Sequence, residues 1–162
     1  MANVDDVAAK IVELSGGKID TFKLQKLAYY AQAWHLAWES EPLFDDPIEA
    51  WAAGPVIRQL YEHHKGKFAI SGWEWGDSSR LSSEEVSTIE AVVASYGKLS
   101  GRALSELTHS ERPWKDARCD LGPTDRGTFV IEQDSLYAFY SPLDHGDVGI
   151  PVEELIETDV VE

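Results

Sequence analysis

One stretch constrains this chain more than any other. Between Thr21 and Glu39, Leu24, Leu27, Ala31, Trp34 and Trp38 recur every three or four positions, with Ala28 and His35 beside them. That is the spacing of one face of an α-helix. Asp20 stands where an N-cap belongs, and Ile19 and Leu24 are placed to staple the first turn. A helix this long and this aromatic has to form the centre of the core, and the rest of the chain has to cover it.

The covering elements are mostly helical as well. Val4, Val7, Ala8, Ile11 and Leu14 predict a first helix over 5–14, stopped by Gly16-Gly17. Pro42-Leu43-Phe44 and Ile48-Glu49-Ala50-Trp51 flank Asp45-Asp46-Pro47, which predicts a small hairpin or extended corner over 42–51. Gly54-Pro55 reads as the opening of a third helix through Val56, Ile57, Leu60 and Tyr61 to His64, ended by Gly66. Ser82 and Glu85 form a capping box for a fourth helix running to Tyr96. A further helix over 100–108 is expected to close at Pro113-Trp114, followed by a polar loop over 115–128. A short strand at 128–131 and a short helix at 134–140 complete the reading. The expected fold class is mainly α, a compact single-domain helical fold over 1–145 followed by an acidic tail over 146–162.

The chain carries 29 Asp and Glu against 14 Lys and Arg, a net charge of −15. Residues 82–162 hold seventeen of the acids and six of the bases. Nucleic acid and anionic membranes both call for a basic stripe, so neither is an expected partner. Basic proteins suit such a surface better. The single cysteine, Cys119, excludes an internal disulfide. The acidic start lacks the pattern of a signal peptide, and no run of residues is long and apolar enough for a membrane span. The expected location is cytoplasmic.

The titratable residues do not fall into a catalytic or metal-binding pattern. His63-His64, His109, His145 and Cys119 do not fall at zinc-ligand spacings. Asp144-His145-Gly146-Asp147 has no nucleophile elbow to serve. Asp120 offsets any effect of Arg118 on the Cys119 thiol. No cofactor or metal and no enzymatic activity are therefore expected. Trp34, Trp38, Trp51 and Trp114 fit periodic or helix-end positions and are assigned to the core. Trp73 and Trp75 differ: they stand on one face of a Gly-bracketed loop with Glu74 opposite, a plausible anchor for a partner. The alternative for that loop is a cover over the core edge.

Two segments carry a family resemblance. Lys23-Leu24-Gln25-Lys26-Leu27-Ala28-Tyr29-Tyr30-Ala31-Gln32-Ala33-Trp34-His35 is followed by Pro42-Leu43-Phe44 and then Ile48-Glu49-Ala50-Trp51-Ala52-Ala53-Gly54-Pro55-Val56. Together they resemble the Panacea-domain family, the phage-associated SocA/GepA-like antitoxins, and the stretch from Leu99 through Thr108-His109 to Pro113-Trp114 is similar too. The chain departs from the family pattern at Ala28 and at Ala52-Ala53. The resemblance makes Lys23, Leu24, Lys26, Leu27, Tyr30, Trp34, Trp51, Gly54, Pro55, Tyr61 and Trp114 a signature with a mainly structural role. It implies an antitoxin that neutralises a cognate toxin by direct protein contact, and for some relatives delivery of the toxin to an ATP-dependent protease. Trp73, Glu74 and Trp75 are the expected partner-binding residues. A different class of function, an enzyme or regulator, would have to use the Lys23/Lys26/His35 helix face. Paired lysines on a helix are more often simply solvated.

Overall fold

A computed structural model describes residues 1–144, so the proposed tail over 146–162 and His145 lie outside the described residues. Helix α1 (Val4–Leu14) and α2 (Thr21–Glu39) begin as the caps direct: the Asn3 side chain accepts from Asp5 N–H, and Asp20 accepts from Lys23 N–H. α2 is the centre. Every residue from Leu24 to Leu36 is buried, and α1, α4 (Ser83–Tyr96), α5 (Gly101–Ser110) and α7 (Gln133–Tyr140) all pack on it. α4 starts on the Ser82–Glu85 capping box.

A helix buried all round has to give its polar side chains partners in the interior. Gln32 does so by accepting from Leu43 N–H at 2.7 Å and donating to Phe44 C=O at 2.8 Å. Two turns earlier Gln25 accepts from Ile57 N–H at 2.8 Å, and its amide donates to Ile57 C=O at 3.2 Å. The two glutamines thereby pin the extended segments that follow α2.

These segments correct the expected placement of the hairpin. Its first strand, β2 (Ile48–Trp51), falls inside the expected stretch, but its partner is β3 (Gly54–Ile57), in antiparallel register with Ile48 opposite Ile57. Gly54-Pro55 therefore opens a strand, and α3 (Arg58–His64) starts only afterwards. Gly54 has φ +124°, outside the helical region, so the chain cannot begin a helix there. Pro55 lacks only an N–H, which a two-stranded hairpin tolerates at an edge. Beyond α3, β4 (Ala69–Ile70) pairs with β1 (Ile19–Asp20) as a second two-stranded sheet.

Pro113-Trp114 does not close a helix. It lies in the first turn of α6 (Arg112–Arg118), where a proline costs no hydrogen bond, so the irregular segment starts only at Cys119. The strand expected over 128–131 is reduced to a bridge between Glu49 and Val130, with Ala50 N–H donating to Phe129 C=O and Ile131 N–H to Ile48 C=O.

Candidate functional site

The signature residues come together from opposite ends of the sequence. Leu24, Lys26, Leu27, Tyr30 and Trp34 are buried on α2, Gly54 and Pro55 are buried on β3, and Trp114 is buried on α6. Lys23, Trp51 and Tyr61 are partly buried. The meeting point is Lys26. Its amine donates to Pro55 C=O at 3.3 Å and lies 4.8 Å from the centre of the Phe22 ring. A Cβ on Gly54 would stand 2.7 Å from Lys26 Cε and 3.3 Å from Thr108 Oγ1, so only glycine leaves room for the lysine beneath it. Burial pushes the Lys26 pKa down to about 7, against a smaller upward pull from Asp20. Lys26 therefore does not lie on a solvated face.

Nor do Lys23, Lys26 and His35 form one face. Nine residues separate Lys26 from His35, half a rotation of the helix. Lys23 reaches Gly97 C=O at 2.5 Å, while His35 Nδ1 sits 2.8 Å from Thr88 Oγ1 near the middle of α4. Burial lowers the His35 pKa despite four glutamates nearby. The fold thus distributes these three groups to separate structural duties.

Around Trp51 the hairpin presents a compact polar-aromatic patch. The Trp51 indole donates to Glu49 at 2.9 Å, Arg58 pairs with Glu49 at 2.8 Å and lies over the indole, and the Tyr61 ring meets it edge-on. The Trp114 indole donates to Trp51 C=O at 2.8 Å and stacks on His109 at 4.0 Å. Trp51 is thus half-buried at the rim of the core, and Trp38 is also only partly covered.

The loop carrying Trp73, Glu74 and Trp75 forms a turn, not an extended stretch, and it divides the two indoles. Trp73 is 6% exposed and donates to Asp5 Oδ1 at 3.1 Å, so it belongs to the core. Trp75 is 39% exposed and stacks on His63 at 4.3 Å, with His63 Nε2 3.6 Å from the Asp5 carboxylate. Glu74 is exposed. Asp6 accepts from Asp77 N–H at 2.8 Å, and Gly76 approaches the Asp5 backbone too closely for any Cβ. The loop is therefore clamped on the start of α1, and it presents Trp75 on a rigid support. It lines a groove of about 660 Å³ together with Lys67, Ala69 and Ile70.

Two features escaped the sequence reading. Glu111 is buried and accepts from the Tyr30 hydroxyl at 2.6 Å and the Tyr140 hydroxyl at 2.8 Å. Tyr29 lies 3.2 Å from the Tyr140 oxygen, and the Trp34 indole donates to Tyr96 at 2.9 Å. Burial raises the pKa of all four tyrosines, and the Glu111 charge adds to it. Tyrosine at helical spacing reads as core, but nothing in a single sequence pairs it with an acid eighty residues away. The other feature is exposed aromatic surface at Phe22 and Phe68, 47% and 84% exposed. Phe68 follows Gly66-Lys67, a polar context that could have marked it.

Among the described residues no three His, Cys, Asp or Glu side chains gather as metal ligands, and no helix is long and apolar enough to cross a membrane. Comparison with known families matches residues 24–115 to the family described as antitoxin SocA-like, Panacea domain. No curated protein and no solved structure matches the chain.

Proposed function

The chain belongs to the SocA-like antitoxin family, Panacea domain, and from that premise we propose that it neutralises a cognate toxin by binding it directly. The observation that carries this reading is the family match itself, which spans every signature residue but Lys23, from Leu24 to Trp114. The burial of most signature side chains supports a division of labour, with the signature holding the fold and the exposed side chains meeting the partner. Trp75 is the proposed anchor: a half-exposed indole stacked on His63 presents apolar area already fixed in place. Glu74 supplies a charged rim beside it.

Co-expression with the product of the adjacent gene tests the proposal. A tagged chain that recovers that protein as a stable complex and restores growth supports it. Failure of both sinks it. The lifetime of the toxin distinguishes the mode of action, since simple sequestration leaves it unchanged. Shortening that needs an ATP-dependent protease would establish delivery to the protease instead.

A further inference from the structure

The charge of this molecule is far from evenly spread. Residues 14–26, 63–72 and 97–102 contain seven of the fourteen bases and one of the 29 acids, a net of +6, which leaves −21 for everything else. The fold brings these three segments together at the N-terminal end of α2. Thr21 N–H donates to Phe68 C=O at 2.8 Å, Lys23 reaches Gly97 C=O, and Gly101 abuts Asp20 and Phe22. The one acid, Asp20, is already used as the cap of α2. Of the bases only Lys26 is buried; Lys18, Lys65, Lys67, Lys98 and Arg102 are exposed, Arg102 facing Glu106 at 3.4 Å.

The same region exposes Phe22 and Phe68. It also holds β4, whose only sheet partner among the described residues is β1, so its outer edge has no strand beside it. Grooves of about 660 and 640 Å³ flank this strand, and Ala69 lines both. One runs towards Trp73, Glu74 and Trp75, the other past Lys18, Lys23 and Gly97. An open strand edge binds extended chain through main-chain hydrogen bonds and reads alternate side chains in pockets beside it.

We propose that this face docks an extended acidic segment of a partner protein, one that lies along β4, sets carboxylates against the lysines and places an apolar side chain against Phe68. The inference goes beyond the proposed function, because it assigns a partner chemistry opposite to the one the net charge selects. A nucleic acid fits less well. Its phosphates would extend past this small patch, beyond which the other described residues carry a net of −15 and repel them.

The test uses the full chain and a fluorescein-labelled peptide of roughly ten residues that alternates Glu with Leu and Phe. Fluorescence anisotropy should show saturable binding that weakens about tenfold or more in Phe68→Ser and in Lys65→Glu/Lys67→Glu, with the melting temperature unchanged. If Phe68→Ser alters melting, the lysine pair decides, since both side chains are exposed. Absence of saturable binding overturns the proposal, as does equal binding of the peptide with Lys in place of Glu. A thymidine oligonucleotide that binds more tightly and loses affinity in the same variants would make the face a nucleic-acid site. A peptide affinity that rises about tenfold when the six acids after Asp144 are made amides would show that the chain's own C-terminal segment takes the face instead.

Discussion

Replacing Lys26 by methionine should stabilise this protein, and by an amount that depends on pH. The amine is wholly buried, with one hydrogen bond at 3.3 Å and a pKa lowered from 10.5 to about 7. Because the folded value lies below the unfolded one, the unfolded chain keeps the extra proton between those two limits. The Lys26 contribution to native stability therefore climbs as pH rises through that window and is lowest below about 7, while the four buried tyrosines, their pKa values raised, pull the other way near pH 10 in parent and variant alike. At about 1.4 kcal/mol per unit, the buried amine costs on the order of 4 kcal/mol at pH 7 and less than about 1 kcal/mol at pH 10. Methionine fills similar volume beneath Gly54 without a charge, and forgoes the Pro55 bond, worth about 1 kcal/mol. Lys26→Met should thus gain about 3 kcal/mol at pH 7 and nothing at pH 10. Urea denaturation at both values and midway between measures this directly. Burial depresses the pKa of His64 and His109, and the nearby Lys26 charge adds to it. A variant less stable than the parent at pH 7, or a difference that does not shrink as pH rises, would refute the reasoning.

The partner position on the hairpin should behave in the opposite sense: Gly54→Ala combines φ +124° with a clash on Lys26, and should lose about 3 kcal/mol in a thermal or chemical melt. Glu111→Ala strands the Tyr30 hydroxyl, leaves Tyr140 only its contact with Tyr29, and should cost about 3 kcal/mol, whereas Glu111→Gln keeps an acceptor and should cost about 1 kcal/mol. The two indoles of the loop should separate cleanly: Trp73→Ser loses about 3 kcal/mol of stability, while Trp75→Ser melts normally and fails to rescue toxin-expressing cells. A Trp75→Ser protein that rescues fully would remove that side chain from the toxin interface.

The helices were legible because their signals are local. Asp20, Ser82 and the three- and four-residue spacing of Leu24, Leu27, Ala31 and Trp34 all act within a few residues of themselves. The hairpin was displaced because its register is not a local matter. β3 is held by Gln25, more than thirty positions earlier, and Pro55 fits both a first helical turn and an edge strand. The contacts of Gln25 and Lys26 with β3, together with the positive φ of Gly54, decide between them. The same reason hid α6, whose Pro113 reads as a stop when seen alone and as a start once Glu111 is placed at its N-cap. Around Trp73, Glu74 and Trp75 a loop was legible, but which of its two indoles faces solvent was not. Trp73 turns inward because Asp5, at the other end of the chain's order, offers an acceptor for its N–H.

The location of Lys26 has a consequence for how partner choice can change in this fold. A buried lysine kept against a stability cost can serve specificity in place of stability. Here the amine is the one side-chain donor that Pro55 C=O receives from α2, and with Gln25 it fixes where β3 lies along that helix. A uniformly apolar contact would let the hairpin slide, because dispersion is nearly indifferent to register while a hydrogen bond is not. Fixing β3 also fixes α3 directly after it, and α3 carries His63, on which Trp75 stacks. The buried signature thereby determines the position of an exposed aromatic that it never touches. Residues such as Trp75 and Phe68 are then free to be replaced for a new partner without disturbing the frame. Lys26→Met tests this argument as well as the energetic one: a more stable protein whose toxin affinity falls would show that the lysine acts through register.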